Sequence, residues 1–396
     1  MIKHTLKLMW NQKKRNALII IELMIVFLVL FFAVYFLSAD LSKLMIPIVV
    51  DDENVAAVGF YTNDTNSLRV AKVYTALKAH LKSLPYIEAV SYAGNSVPFD
   101  ASYSSSSFSA NGVDLVFFTR YVDPDFAPLL KIPLLKGRWP RAGEAENWPR
   151  PVVITVDASK TLFGKKEAIG MIITSGRDNH SRKEYLVTGV LPLYKQSDYS
   201  SPEPGLFIVG NPDLQNNASR IIVKVKKGMM AEFFSHIEPE VFKVADRDLW
   251  FLFWVNTLSD MRATANASMH TGFYTRTLIS AIVILNILLG FIGVLWYNIN
   301  LRRKETGLRM AVGASRLAIN KQLINESLVL GFFGIVPALI LILQVYLLRV
   351  YPFETNIFFF SLAVSLVVLP CLLVLAAWYP GRLASRISPA IALHSE

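Results

Sequence analysis

Apolar residues gather into four runs along the chain, Ala17–Leu37, Leu278–Tyr297, Ser327–Leu348 and Ile357–Tyr379. A helix rises about 1.5 Å per residue, so runs of about 20 residues match the roughly 30 Å hydrocarbon core of a bilayer. Lys13, Lys14 and Arg15 could open a secretory signal, but the run behind them exceeds the roughly 7 to 15 apolar residues of a signal core. No small-x-small cleavage site follows, and the run reads as an uncleaved span. Between the first two runs the period changes. "PVVITV", "EYLVTGVLPL", "GLFIVG" and "SRIIVKVKKG" read as strands. "NSLRVAKVYTALKAHLKSL" and "MMAEFFSHIEPEVFKVADRDLWFLFWVNTLSDMRATA" read as helices, and the serine-rich Asp100–Gly112 as a flexible loop or hairpin edge. The pattern predicts an α-helical membrane protein with four transmembrane helices plus a large α+β extracytoplasmic domain between helices 1 and 2. The spans fall at 17–38, 276–298, 327–349 and 357–379, and the extracytoplasmic domain at 39–275. Residues 1–16 read as a cytoplasmic interfacial helix, with Ile2, Leu6, Met9 and Trp10 near helical spacing. Residues 299–326 form an inner loop, 350–356 a short outer loop and 380–396 a cytoplasmic tail.

Composition agrees: 53% of the 396 residues are hydrophobic and 18% charged, where a soluble domain carries roughly 25% charge. The single cysteine, Cys371, lies inside an apolar run, which excludes an intrachain disulfide and a cysteine-built metal site. A net charge of +10 would suggest nucleic acid in a soluble protein, but its distribution gives another meaning. Residues 1–16 hold five Lys or Arg, 298–326 hold six and 380–396 two, about twice the density between 17 and 276. Basic segments stay on the cytoplasmic side, which puts both termini and the 299–326 loop inside and the large domain outside, with no nucleic-acid partner.

Candidate chemistry is sparse. No GxxxxGK[ST] occurs, so the chain is not expected to hydrolyse ATP by itself. His4, His80, His180, His236, His270 and His394 lack the spacing of a metal face, and no GxSxG marks a nucleophile. No catalytic residue, cofactor or metal is expected. Within the spans, Glu22 is read as snorkelling to the inner surface or pairing with Lys14 or Arg15, and Asn286 and Gln344 as hydrogen-bonding across helices. Pro337 and Pro370 are expected to kink their helices. Spans without a charged lane make a poor pore, so any cargo is expected to be handled by the outer domain.

One segment stands apart. "LRRKETGLRMAVGASRLAINKQLINESL", Leu301–Leu328, carries six Lys or Arg against two Glu between two membrane-grade runs. Glu305 precedes Arg309 by four residues in the favourable helical order. Gly313 could close a first short helix and Ser315 cap a second one running into the third span. On these residues alone the segment is equally an ordinary basic inner loop. However, Arg302–Gly334 resembles the signature of the MacB/FtsX family of ABC transporter permeases. "YPGRLASRISPAIAL", Tyr379–Leu393, is similar to that family's basic tail. Tyr121–Pro140, Val152–Thr174 and Tyr185–Leu191 are similar to its periplasmic core domain. The chain departs from the pattern at Thr306 and Gly381.

The resemblance implies a MacB-like permease, here without a fused ATPase domain, in the bacterial inner membrane. Its implied mechanism is mechanotransmission: a dimer with a second permease, the same or a related chain, sits on a separate ABC ATPase. ATP-driven closure pushes a cytoplasmic elbow, and the outer domains move. By motif position that elbow comprises Arg302, Arg303, Lys304, Glu305, Gly307, Arg309, Gly313 and Ala314. Substrates across the family's branches include peptides, antibiotics, lipoproteins and envelope proteins, with a periplasmic adaptor in the efflux branch. Two rival readings are a signalling or scaffolding protein with a ligand-sensing outer domain, and a membrane-anchored hydrolase.

Overall fold

The computed structural model describes residues 13–100, 104–141, 143–144, 148–175, 183–210, 218–301, 308, 312 and 314–384. Helix α1 (Lys13–Leu44) leads to β1 (Val55–Thr62), α2 (Ser67–Lys82), β2 (Ile87–Tyr92), β3 (Ser104–Ala110) and β4 (Val113–Val122). A single turn, α3 (Phe126–Leu129), precedes β5 (Lys136–Gly137), β6 (Arg150–Thr155), α4 (Val156–Phe163), β7 (Ile172–Ser175), β8 (Lys183–Leu191) and β9 (Gly205–Val209). Then come β10 (Ala218–Val225), α5 (Met230–Val241), β11 (Trp250–Thr257), α6 (Leu258–Leu301), α7 (Arg316–Leu347) and α8 (Thr355–Ala384). Residues 43–270 make one unit, and 1–42 with 271–396 the other.

In the 43–270 unit, β11, β1, β10 and β2 lie in that order in an antiparallel sheet. Helices α2 and α5 follow β1 and β10, which makes a split βαβ arrangement. Asn66 caps α2 by accepting from the amides of Leu68 and Arg69. Val70, Tyr74, Leu77 and Leu81 then repeat on one helix face and bury against Ala56, Val58, Ile221 and Val223. Between β2 and β10 the chain builds a second sheet, ordered β5-β8-β6-β9-β4-β3-β7, and the pairing of β7 with β8 closes it into a ring. Its β3–β4 hairpin turns at Asn111 and Gly112, both at positive φ, the Asn-Gly chemistry of a type I′ turn.

The two sheets share a core in which Ala57 and Ile222 meet Val122, Val153 and Phe207. They are also tied by charge. Lys78 of α2 donates to Asp123 and Asp125 at 2.5 and 2.6 Å, and Asp123 accepts from Ser91 Oγ and the amide of Tyr92. The two carboxylates of "YVDPDF" thus bind the second sheet to the first.

In the other unit α1, α7 and α8 pack together through Phe27, Phe31, Ala338, Ile342, Phe358 and Leu373. Gly334 allows the closest approach. A Cβ there would stand 2.8 Å from Leu23 Cβ, 3.1 Å from the Met24 amide nitrogen and 3.2 Å from the Ile20 carbonyl oxygen. Among the described residues four helices, including α6, are long and apolar enough to cross a membrane. On α6, Leu278, Ile279, Leu285 and Leu289 remain more than half exposed.

Several expectations change. Trp250–Thr257 is a strand, not part of a helix: α5 stops at Val241, a turn follows in which Asp246 accepts from Asp248 and Trp250, and the aromatic, β-branched run pairs with β1. Helix α6 starts at Leu258, some twenty residues before its apolar segment. Of the serine-rich stretch, residues 104–110 form a paired strand, so the hairpin half of that reading holds and the loop half does not. Asn286 donates to Ile282 O of its own helix and Gln344 is exposed, and among the described residues neither bonds across helices. Glu22 faces α6, its Oε1 3.1 Å from where a Cβ on Gly290 would lie; the side chains of Lys14 and Arg15 lie outside the description. Helices α7 and α8 continue past Pro337 and Pro370, which is compatible with the expected kinks. Helix α1 extends back to Lys13, and residues 1–12 and 385–396 lie outside the described residues.

Candidate functional site

The site begins where β8 ends. Pro192 cannot donate to a ladder, and with Pro202 and Pro204 it frames a loop, residues 192–204, rich in Ser, Tyr and charge. The loop closes on itself: Ser200 Oγ accepts from the amides of Gln196 and Ser197, Ser197 Oγ accepts from the amide of Ser200, and Glu203 N reaches Tyr194 O. Tyr194 anchors it, 1% exposed, edge-on to Phe207 and 4.3 Å beneath the Arg120 guanidinium. Burial pushes the Tyr194 hydroxyl up in pKa and the Arg120 guanidinium down, each countered by the other's charge.

From this anchored loop two charged side chains reach the helices that flank the domain in sequence. Lys195 is 3% exposed, and its three donors go to carbonyls: Lys43 O at 2.7 Å, Asp198 O at 2.8 Å and Ile46 O at 2.9 Å. Lys43 is next to last in α1, so the ammonium satisfies a carbonyl of the last turn, where helix geometry leaves acceptors without partners and the dipole favours a cation. Burial lowers the Lys195 pKa, with Asp198 opposing and Arg262 adding to the shift.

Asp198 takes hold of α6. It accepts a fork from Arg262, Nε at 3.1 Å and Nη2 at 2.7 Å, and a further bond from Asn266 Nδ2, while its own amide donates to Asn266 Oδ1 at 3.0 Å. Arg262 and Asn266 are four residues apart and so share a helix face. Burial raises the Asp198 pKa, but Arg262 and Asn266 outweigh it and hold the carboxyl below its usual range. Arg262 also reaches Asp52 at 3.4 Å.

Next to Asp52, Asp51 binds Lys131 at 2.8 Å and Lys224 at 3.2 Å, and its pKa falls from 3.8 to about 2, led by the Lys131 bond with burial opposing. A depressed carboxylate pKa adds stability that is complete above 3.8 and fades as pH falls towards about 2. Asp51→Asn is expected to flatten the fall in thermal midpoint across that window, read by melting the purified protein at stepped pH.

The loop and α6 also bound a cleft of about 470 Å³, lined among others by Phe99, Gln196, Ser197, Met261 and Met269.

Of the elbow residues expected from the sequence, Arg302, Arg303, Lys304, Glu305, Gly307, Arg309 and Gly313 lie outside the described residues, as does the Glu305–Arg309 pair. Ala314 is half-buried and precedes α7, whose cap is Ser315, its Oγ accepting from the Ala318 amide at 3.2 Å. Leu308 and Val312 are exposed. The 192–204 loop was missed because its partners lie 64 to 152 residues away. The available signal was a dense Ser, Pro, Tyr and charge run directly behind a strongly apolar strand.

Four membrane-length helices with an α+β domain between the first two define the class: a membrane protein with a large domain of periplasmic type. A family model described as FtsX-like permease C-terminal matches residues 277–389, and one described as MacB-like periplasmic core domain matches 19–234. The chain belongs to the MacB/FtsX-like family of ABC transporter permeases.

Similar proteins include macrolide export ATP-binding/permease protein MacB of Pasteurella multocida, 26% identical over 296 residues, covering 69% of this chain and 42% of that protein. MacB 2 of Aeromonas hydrophila is 24% identical over 355 residues, covering 85% of this chain and 52% of that one. The chain thus spans about half the length of these relatives. Among solved structures, the periplasmic region of MacB from Actinobacillus actinomycetemcomitans aligns at TM-score 0.37 and 13% identity, covering 55% of this chain and 94% of that one.

Proposed function

We propose that the chain is a permease subunit working by mechanotransmission, coupling ATP hydrolysis by a separate ATPase subunit to movement of its extracytoplasmic domain. The observation that carries this reading is the family match over both regions of a chain whose 396 residues hold no GxxxxGK[ST]. Arg302, Arg303, Lys304, Glu305, Gly307, Arg309, Gly313 and Ala314 form the elbow that meets the ATPase on the cytoplasmic side, with both termini on that side. The exposed Leu308 and Val312 suit a surface covered by a partner. The exposed apolar face of α6 suits lipid or a second permease chain. Within the 43–270 unit, Lys195 and Asp198 fasten the Lys43 carbonyl and the first turns of α6 to one anchored loop. Cargo on this reading is an extracytoplasmic peptide, antibiotic, lipoprotein or envelope protein, with an adaptor joining if the work is efflux.

The test is to purify the protein gently from its native membrane, identify what accompanies it and assay ATP hydrolysis. An accompanying P-loop ATPase is expected. Reversing charge at Arg303 and Lys304 is expected to uncouple hydrolysis while folded protein in the membrane is unchanged. Folded protein with no ATPase partner would favour a signalling role.

A further inference from the structure

We infer that the cleft between the 192–204 loop and α6 binds a small organic amine, a protonated N–H group carried on an apolar body. At about 470 Å³ the cleft falls within the roughly 300 to 1,000 Å³ of small-molecule sites, and its lining mixes apolar with polar side chains.

Its polar groups are mismatched in one direction. Gln196 lines the cleft, and its Oε1 is buried and accepts no hydrogen bond among the described residues, so this oxygen lacks a donor. Ser197, 2% exposed, sends its proton only to Met269 Sδ at 3.5 Å, a weak acceptor, and can turn it to a better one. The lining contains two carboxylates, Asp100 and Asp260, and no Lys, Arg or His. Asp100 is paired with Arg220 at 2.9 Å, whereas Asp260 holds a hydrogen bond from Thr257 and no ion pair among the described residues. Arg262, whose guanidinium stands 5.9 Å from the centre of the Phe99 ring, is occupied by Asp198 and Asp52.

The apolar lining completes the match. Phe99 presents a ring, and Met261 and Met269 present polarisable thioethers that adapt to varied shapes and favour cations and aromatics. Phe99 also sits at φ +66°, a strained conformation for a bulky residue and one that concentrates at ligand sites. A bound amine donates to Gln196 Oε1, lies near the Asp260 charge and rests its body on Phe99 and the methionines. Since Met261 and Met269 belong to α6, occupancy braces that helix against the loop.

The experiment uses full-length protein in lipid nanodiscs, titrated with tryptamine and followed by saturation-transfer NMR with empty nanodiscs subtracted; 3-ethylindole serves as the uncharged match. Saturable tryptamine binding is expected, weakened about tenfold by Gln196→Leu and for 3-ethylindole, the order of one lost charge-assisted hydrogen bond. Thr264→Trp, at an exposed position on the cleft wall, is expected to abolish binding with the thermal midpoint kept; Met269→Trp gives the same reading should the first variant misfold. Binding absent above empty nanodiscs, or indifferent to both tryptophans, overturns the site. Equal binding of the two ligands overturns the amine assignment. No ATPase is present, so neither result bears on the coupling reading.

Discussion

Gly334→Val is expected to remove most folded protein from the membrane, while Gly293→Val leaves the amount unchanged. The Cβ added at 334 meets Leu23 Cβ at 2.8 Å and two main-chain atoms of α1 within 3.2 Å, whereas at 293 it meets nothing within 4 Å among the described residues. Side chains can turn away from a new methyl, but a helix backbone cannot, so α1 and α7 must separate along their length. The cost exceeds the roughly 1 to 3 kcal/mol of ordinary overpacking, because close contact between helices is what holds spans together once lipid has removed the hydrophobic difference. Size-exclusion of a fluorescent fusion from detergent extracts checks it. Equal monodisperse peaks for both variants would show that the approach at Gly334 is dispensable.

The second large effect is expected at Lys195. Lys195→Met keeps the volume and removes three donors at once, leaving the carbonyls of Lys43, Ile46 and Asp198 short of a partner. For a side chain 3% exposed, with the charge itself costly to bury, the net loss is about 2 to 4 kcal/mol. Removing the cation also deprives Asp198 of a favourable charge, although the Arg262 fork remains. Amide exchange should quicken across residues 43–52 and change little in α2 and α5. A uniform increase over the whole domain would mean that Lys195 supports global stability and not the fastening of α1.

Much of this architecture was open to reading before any coordinates. Apolar runs of bilayer length have few alternatives, and α2 advertised itself by the spacing of Val70, Tyr74, Leu77 and Leu81 behind an Asn cap. Ser315 was recognisable as a cap for the same local reason. The failures were non-local. "WFLFWVNT" carries both helix-compatible apolar content and strand-favouring aromatics, and only pairing with β1, almost two hundred residues earlier, decides between them. Asn286 was expected to reach across to a neighbour, but a carbonyl of its own helix was nearer. Lys195 and Asp198 look like ordinary loop charges until the ends of α1 and α6 are brought to them. The elbow is a different case: it rests on the family resemblance alone, and most of its residues lie outside the described ones.

The order of strands has a consequence for how the protein is made. Strand β1 takes its partners from β10 and β11, so it leaves the ribosome long before either exists. At roughly 5 to 20 residues per second, it waits on the order of ten to thirty seconds with both edges bare. During that interval an apolar strand stands open to any passing sheet edge. Strand β1 can therefore complete its pairing only when the sequence up to Thr257 has been delivered.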